Sequence, residues 1–145
     1  MARDAAEIAR LSADAMWTGD QASQGLGMEI LEVASGRARL AMPITERMLN
    51  GHGSCHGGFI FSLADSAFAF ACNSHGQPAV AQHCTITYVA PGRLGMRLVA
   101  DAQERHRGER SGIYDITVRD ETGAVIAEFR GHSRTLPGSL IDPSA

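Results

Sequence analysis

The chain has 145 residues, of which 44% are hydrophobic, and a formal net charge of −3 at pH 7. This length and composition suit one globular domain with a hydrophobic core, and the acidic balance gives no general attraction to nucleic acids or anionic membranes. All 13 basic residues are arginine, which excludes lysine nucleophiles, Schiff-base catalysis and the lysine-dependent phosphate-binding loop.

In chain order, the hydrophobic periodicity predicts a helix, two strands, a very apolar helix and four strands. The first helix covers Ala5–Met16, and Ser35-Gly36 is a turn pair between the first two strands. The strands are expected at residues 26–33, 37–42, 79–89, 94–107, 112–120 and 124–135, and the second helix at 57–73. The strand connections are short, which indicates antiparallel hairpins.

The second helix is hydrophobic on nearly all sides, which is typical of a buried helix. An antiparallel sheet must cover an apolar element, and this helix is the obvious candidate. We therefore predict an α+β fold, in which a curved antiparallel sheet wraps around one long buried helix, with an N-terminal helix in addition. The domain is expected to cover residues 1–136, and residues 137–145 are expected to form a loose C-terminal tail.

The compartment can also be predicted from the sequence. No apolar run reaches the roughly 20 residues that span a bilayer, and residues 1–20 lack the continuous apolar stretch of a signal peptide. The three cysteines are an odd, sparse set that does not favour a disulfide framework. We expect a cytoplasmic protein that does not span a membrane.

One carboxylate lies inside the apolar helix, without a nearby arginine to neutralise it. Ser62, Asp65, Ser66 and Asn73 fall near one narrow stripe of this helix. A buried carboxylate is costly to ionise, its pKa tends to rise, and such groups are enriched at functional sites. The stripe therefore indicates a cleft or a partner chain on that face. The alternative is a structural aspartate that fixes a neighbouring turn.

The helix begins with His56-Gly57-Gly58, where the first backbone N–H groups have no partner within the helix. Glycines at this place let a ligand approach the backbone closely. Together with the helix dipole they form an anion site, or an oxyanion hole if the negative charge develops during a reaction. The alternative is that the glycines only allow the helix to pack tightly on the sheet.

The spacing of these two features constrains any shared site. Gly57 and Asp65 are eight residues apart in sequence, which is about 12 Å along a helix axis. One carbonyl carbon cannot lie about 3 Å from both groups. Either they have different tasks, or Gly57 of one protomer meets Asp65 of another. The second option predicts an obligate dimer with two shared sites related by a two-fold axis.

Other chemistries are open for the segment before the helix. His52, Cys55 and His56 form an H-x-x-C-H cluster, although its spacing fits no common structural zinc site. Cys55 as a nucleophile, with His52 or His56 as its base, is a second alternative.

Several motifs together resemble those of a known family. Asn50 with the segments HGG (56–58), LADS (63–66) and ACNS (71–74) resembles the signature of hotdog-fold acyl-CoA thioesterases. More narrowly, it resembles the phenylacetate-degradation (PaaI) type. The likeness continues in CTITYVAPGRLG (84–95), GIYDITV (112–118) and FRGHSR (129–134), and covers nearly the whole chain from about residue 25 to residue 134.

The resemblance implies hydrolysis of acyl-CoA thioesters, with phenylacetyl or hydroxyphenylacetyl groups favoured. It implies that Asp65 acts as nucleophile or as general base on water, and that the Gly57 N–H polarises the thioester carbonyl. Asn50 and His56 are implied to orient the thioester or the reacting water. The residues further expected to bind substrate are Gly58, Ser66 and Arg93.

The same resemblance implies an assembly and the absence of a cofactor. Asp65 and Gly57 of one site are expected on different protomers of a dimer, and two dimers are expected to form a homotetramer. Neither a metal nor an organic cofactor is expected, since coenzyme A is part of the substrate. Some family members supply a hydroxyl near the water at the positions of Ala81 and Gln82, and this chain has none there.

Two other functions remain open. The first is an enoyl-CoA hydratase or dehydratase on the same fold, in which His56 would serve in an acid–histidine pair. The second is a non-catalytic module that binds or senses acyl-CoA. Thioester cleavage measured as free thiol would separate both from a thioesterase.

Overall fold

A single antiparallel sheet and one central helix make up most of the fold, and the computed structural model describes residues 2–142. The helices are α1 (Ala5–Trp17), α2 (Gln21–Gly25) and α3 (Gly57–Cys72), with a 3₁₀ turn at Glu46–Met48. The strands are β1 (Glu29–Ala34), β2 (Arg37–Pro43), β3 (Ala79–Tyr88), β4 (Arg97–Arg107), β5 (Ser111–Arg119) and β6 (Val125–Thr135). They pair in the order β1-β2-β4-β5-β6-β3, so β1 and β3 are the edges.

The hydrophobic core lies between α3 and the sheet. Leu63, Ala64 and Ala67 of α3 are fully buried, and the Phe68 ring packs on β6 at Gly131. A Cβ added at Gly131 would lie 2.8 Å from three atoms of that ring, so the close approach of helix and sheet requires glycine there. The predicted α+β arrangement, a curved sheet around one buried helix with an N-terminal helix, is confirmed.

Helix α3 is tied to the edge strand β3 at both ends. At its C-terminus the Asn73 side chain accepts a hydrogen bond from the Ala79 N–H at 2.8 Å and donates one to the Ala79 carbonyl at 3.0 Å. At its N-terminus the Tyr88 hydroxyl donates to the Gly57 carbonyl at 2.8 Å. Helix and strand therefore run in opposite directions, with the middle of α3 level with the middle of β3.

The ends of the predicted elements differ from the structure by more than one residue in two places. The first strand begins at Glu29 rather than residue 26, because the short helix α2, capped by the Asp20 side chain on the Ser23 N–H, precedes it. The fourth strand begins at Arg97 rather than residue 94, because a turn closes between the Met96 N–H and the Arg93 carbonyl. Local hydrogen bonds at these points outweigh the apolar pattern of the sequence.

The chain after β6 contains no helix or strand in residues 137–142, although the Leu140 N–H donates to the Gly76 carbonyl at 2.8 Å. Residues 143–145 of the predicted tail lie outside the described residues, and the domain boundary at residue 136 stays a prediction. Among residues 2–142, no helix has the length and apolar character needed to cross a membrane.

Candidate active site

The polar stripe of α3 contains one group that has no partner among residues 2–142. The Ser62 hydroxyl donates to the Gly58 carbonyl, the Ser66 hydroxyl shares a hydrogen bond with Ser23 at 2.8 Å, and Asn73 is tied to the start of β3. The Asp65 carboxylate is partly buried and forms no hydrogen bond or ion pair with any other described residue. Asp65 therefore does not have the structural role of fixing a neighbouring turn within its own chain.

Asp65 is close enough to the edge strand for its charge to act on Cys84 of β3. Burial raises the pKa of the Asp65 carboxyl above its ordinary value. Burial and then the nearby Asp65 charge raise the pKa of Cys72 to about 12, and the same two causes raise the pKa of Cys84 on β3. A carboxylate that is partly desolvated and unpaired is a stronger base and nucleophile than one in water.

The start of α3 offers one free backbone donor. The Gly58 N–H donates to Nδ1 of His56 at 2.9 Å, and the Phe59 N–H donates to the His56 carbonyl at 3.0 Å. The Gly57 N–H has no acceptor among the described residues. Of the first three N–H groups of this helix, Gly57 alone can therefore donate to a ligand.

His56 is the N-cap of α3. Because its Nδ1 accepts a hydrogen bond from Gly58, the neutral ring carries its proton on Nε2. The ring packs edge-on against Phe59, with centroids 6.0 Å apart. Only Nε2 remains to contact a substrate or a water.

Asn50 organises the loop that leads into α3. Its side-chain oxygen accepts hydrogen bonds from the backbone N–H groups of His52 at 2.9 Å and Ser54 at 3.2 Å. This leaves the Nδ2 amide group without a partner among the described residues, as a donor on the same side of the fold as Gly57. The loop is therefore held by the oxygen of Asn50, and the amide nitrogen can orient a ligand.

A cavity of about 430 Å³ opens beside the start of α3. It is lined by Cys55, Gly57, Ile60, Tyr88, Val89, Ala90, Pro91 and Gly92. Cys55 is only 5% exposed, and burial raises the pKa of its thiol. A protonated, buried thiol is a poor nucleophile, so the structure argues against Cys55 in that role.

The remaining candidate residues lie in different surroundings. The Gly58 N–H and the Ser66 hydroxyl already have partners within the chain. Arg93 is exposed in the loop that follows the cavity, where its backbone N–H donates to the Met96 sulfur at 3.3 Å. No three histidine, cysteine or acidic side chains of residues 2–142 come together in a group that could hold a metal ion.

A single chain keeps the candidate residues apart in two groups. Gly57 and Asp65 belong to the same regular helix, so they stay about 12 Å apart along its axis. Gly57, His56 and Asn50 lie at or before the start of α3, and Asp65 lies about two turns further along the helix. Tyr88 of β3 contacts Gly57, and the charge of Asp65 acts on Cys84 of the same strand.

Sequence reasoning missed Tyr88. Its ring covers Gly57 and its hydroxyl binds the Gly57 carbonyl. The two residues are 31 positions apart, and no local pattern relates a strand-end tyrosine to a helix start. The segment that contains Tyr88 carries the family resemblance, but that signal does not show which atom the hydroxyl contacts.

Comparisons with known proteins agree with this architecture. Residues 52–127 match the family model of the Thioesterase superfamily. The chain is 46% identical over 129 residues to acyl-coenzyme A thioesterase PaaI from Escherichia coli K12. The match covers 89% of this chain and 92% of that protein. The solved structure of the E. coli PaaI protein from the phenylacetic acid degradation operon superposes with a TM-score of 0.92 at 45% identity, over 94% of this chain and 99% of that one.

A more distant structure is also similar. The protein smu.793 from Streptococcus mutans UA159, solved bound to acetyl CoA, has a TM-score of 0.75 at 25% identity over 77% of this chain and 90% of that chain. The match in sequence and the hotdog fold agree with the resemblance that the motifs indicate. The chain therefore belongs to the Thioesterase superfamily.

Proposed function

We propose that this protein hydrolyses acyl-CoA thioesters at a site shared between two protomers. The observation that carries the proposal is the pair of unpartnered groups beside β3, namely the Asp65 carboxylate and the Gly57 N–H. One is a base or nucleophile and the other is a donor for an oxyanion, which together are the two functions that acyl transfer to water requires. The similarity to a protein named acyl-coenzyme A thioesterase supports the same activity.

The proposed reaction follows from these groups. Asp65 either attacks the thioester carbonyl carbon directly or takes a proton from a water that attacks it. The negative charge that develops on the carbonyl oxygen is stabilised by the Gly57 N–H, and one such donor is typically worth ~10²–10³ in rate. The carbon–sulfur bond then breaks, and coenzyme A leaves as a thiolate. In the water route this step gives the free acid, whereas in the direct route the acyl group stays on Asp65 as a mixed anhydride, which a water then hydrolyses to the free acid and the Asp65 carboxylate. A thiolate leaving group needs little acid assistance, so no metal or organic cofactor is required.

The edge strand supports the proposed dimer. β3 has ten residues and contains no Asp, Glu, Lys, Arg or Pro, the residues that usually protect an exposed edge. Val80 and Tyr88 on this strand are each 48% exposed, and Val89 just after it is 58% exposed. A second copy that pairs its own β3 here would cover these side chains and satisfy the free backbone groups.

The level of each group along β3 determines where the two-fold axis must pass. Helix α3 is tied to β3 through Tyr88 and Gly57 at one end and through Ala79 and Asn73 at the other, so Asp65, in the middle of the helix, is expected near Cys84, in the middle of the strand. Antiparallel pairing of two β3 strands about an axis near Ile86, midway between these levels, would bring Gly57 of one protomer level with Asp65 of the other. Two such dimers would form the proposed homotetramer.

The proposed acyl group is aromatic. The similar E. coli protein belongs to a phenylacetic acid degradation operon, and we propose phenylacetyl-CoA or hydroxyphenylacetyl-CoA as the substrate of this chain as well. The cavity of about 430 Å³ beside Gly57 is large enough for part of such a ligand. Arg93, which is exposed and directly follows the cavity residue Gly92 in sequence, is the proposed contact for a phosphate of coenzyme A.

The first experiment measures release of free thiol from phenylacetyl-CoA by the native protein and by Asp65→Asn. We expect turnover by the native protein, and loss of turnover with retained binding of the ester in the variant. Binding without turnover in the native protein would instead indicate an acyl-CoA sensor. Water addition to an enoyl-CoA without thiol release would indicate a hydratase.

The second experiment tests whether the site is shared. Chains with Asp65→Asn are mixed with chains with Asn50→Ala, and subunit exchange is verified. If Asp65 and Asn50 of one site belong to different protomers, each mixed dimer regains one intact site, so full exchange should restore about a quarter of native activity. No recovery would place both groups on the same protomer. Transfer of oxygen-18 from labelled water into Asp65 during a single turnover would distinguish direct attack from general-base catalysis.

A further inference from the structure

The peptide group that joins Gly57 to Gly58 is held at both of its polar ends. Its carbonyl oxygen accepts the hydrogen bond from the Tyr88 hydroxyl at 2.8 Å, and its N–H donates to Nδ1 of His56 at 2.9 Å. Two consecutive glycines have more backbone freedom than any other pair of residues. The two side chains therefore restrain a backbone segment that has no Cβ atom to restrain it.

The Tyr88 ring also fits closely over Gly57. A Cβ added at Gly57 would lie 2.9 Å from both Cζ and Oη of Tyr88, which is closer than atoms pack. The ring therefore occupies the space where any other residue at position 57 would place its side chain. The hydrogen-bonded position of the Tyr88 ring is therefore compatible only with glycine at position 57.

We propose that Tyr88 is a positioning residue that, together with His56, fixes the Gly57–Gly58 peptide, limits rotation about the backbone bonds at the Gly57 Cα, and thereby keeps the free N–H of the preceding His56–Gly57 peptide aimed at the thioester oxygen. This inference rests on the proposed function, because it assigns a role to Tyr88 within that same site. A donor that is already oriented before the reaction stabilises the oxyanion without further reorganisation. Loss of the hydroxyl should therefore affect the transition state more than the binding of substrate.

The Tyr88 hydroxyl is protonated and can therefore donate the hydrogen bond. Burial, and then the neighbouring Cys55, raise the pKa of the Tyr88 hydroxyl, so the proton is retained across the neutral pH range. The Gly57 carbonyl is an acceptor at every pH. The contact consequently does not depend on the titration of either partner.

The first test is the variant Tyr88→Phe, which keeps the ring over Gly57 and removes only the hydroxyl. For phenylacetyl-CoA we expect kcat to fall about tenfold, the upper range for one neutral hydrogen bond, while KM changes less than twofold. The matched control is Tyr114→Phe, because Tyr114 is the other tyrosine of the chain and its hydroxyl binds Glu104 rather than the site. The control should keep the native kcat, and sizing of both variants should show the native assembly.

The second test separates a positioning role from a structural one. Phenylacetyl-CoA with a carbon-13 label at the thioester carbonyl is bound to Asp65→Asn, and its carbonyl stretch is measured by infrared difference spectroscopy. A hydrogen bond from the Gly57 N–H should shift the carbonyl stretch to lower frequency. Tyr88→Phe as a second substitution in the Asp65→Asn protein should make this shift smaller, whereas Tyr114→Phe as the second substitution should leave it unchanged.

The outcomes distinguish this inference from the function on which it rests. A shift of the stretch that is equally large with and without the Tyr88 hydroxyl, or a native kcat in Tyr88→Phe, would overturn the role of Tyr88 and leave the oxyanion donor in place. No shift with Tyr88 intact would overturn both the donor role of Gly57 and the role of Tyr88.

Discussion

The substitution Gly57→Ala adds one methyl group at the start of α3, where activity and stability should respond differently. The new Cβ would lie 2.9 Å from Cζ and Oη of Tyr88, about 0.6 Å closer than the ~3.5 Å of an ordinary contact between carbon atoms. The atoms that the new Cβ would meet lie at the far end of the Tyr88 side chain, so the ring is the part that moves. The movement breaks the hydrogen bond to the Gly57 carbonyl.

The expected stability change is small because two effects oppose each other. Loss of one hydrogen bond costs about 0.5–1.5 kcal/mol, whereas alanine in place of glycine favours a helix by up to about 1 kcal/mol. The expected activity change is large, because a misplacement of roughly 1 Å in a catalytic group can reduce the rate about 100-fold. We therefore expect kcat for phenylacetyl-CoA to fall about 100-fold, with the free energy of unfolding within about 1 kcal/mol of native.

The assay is thiol release for kcat and KM, together with urea unfolding at matched protein concentration. Gly25→Ala is the control, because Gly25 also lies in a helix and a Cβ there would meet nothing within 4 Å. It should keep native activity. Native kcat in Gly57→Ala would refute the claim that the site depends on close backbone approach at Gly57, and a large loss of stability would show that the glycine is needed for packing instead.

Two further substitutions test the electrostatics. Asp65→Asn should raise the free energy of unfolding at pH 7, because burial raises the pKa of Asp65 and so makes its charged form costly in the folded state. This gain in stability should shrink as the pH falls through that raised pKa. If urea unfolding at pH 7 shows the variant to be less stable than native, burial does not destabilise the charged Asp65. Tyr114→Phe should lower the free energy of unfolding by about 1.5–3 kcal/mol at pH 7, through loss of a hydrogen bond to ionised Glu104. Burial raises the pKa of Glu104, but the hydrogen bonds from His75 and Tyr114 lower it by more, so the pKa is lowered overall. The stability deficit of Tyr114→Phe should therefore narrow as the pH falls through that lowered pKa. An equal deficit from neutral to acidic pH would show that the ionised form is not involved.

Much of the architecture could be predicted from local patterns. The apolar run 57–73 could only be a buried helix, and the structure has it at Gly57–Cys72. The turn pair Ser35-Gly36 was equally informative, since Gly36 has a φ of 73°, which residues with a Cβ rarely adopt. The short helix α2 was missed because five residues are too few to show a helical period.

The polar stripe of α3 illustrates where local reasoning ends. The helix pattern does not distinguish the four small polar residues on this face from one another. In the structure three of them have partners within the chain, and Asp65 has none among the described residues. Ser66 meets Ser23 of α2 and Asn73 meets the start of β3. These partners come from other elements, so the helix pattern alone does not reveal which polar group is left over.

The sequence by itself determined the fold, the presence of one carboxylate inside an apolar helix, and the spacing that keeps Asp65 and Gly57 apart. These are properties of neighbouring residues, because helical geometry converts sequence separation directly into distance. Only the tertiary structure decided which donors and acceptors remain free, and that Tyr88 covers Gly57. Hydrogen-bond partners are decided by the packing of elements that are distant in sequence, and that packing depends on the whole core at once.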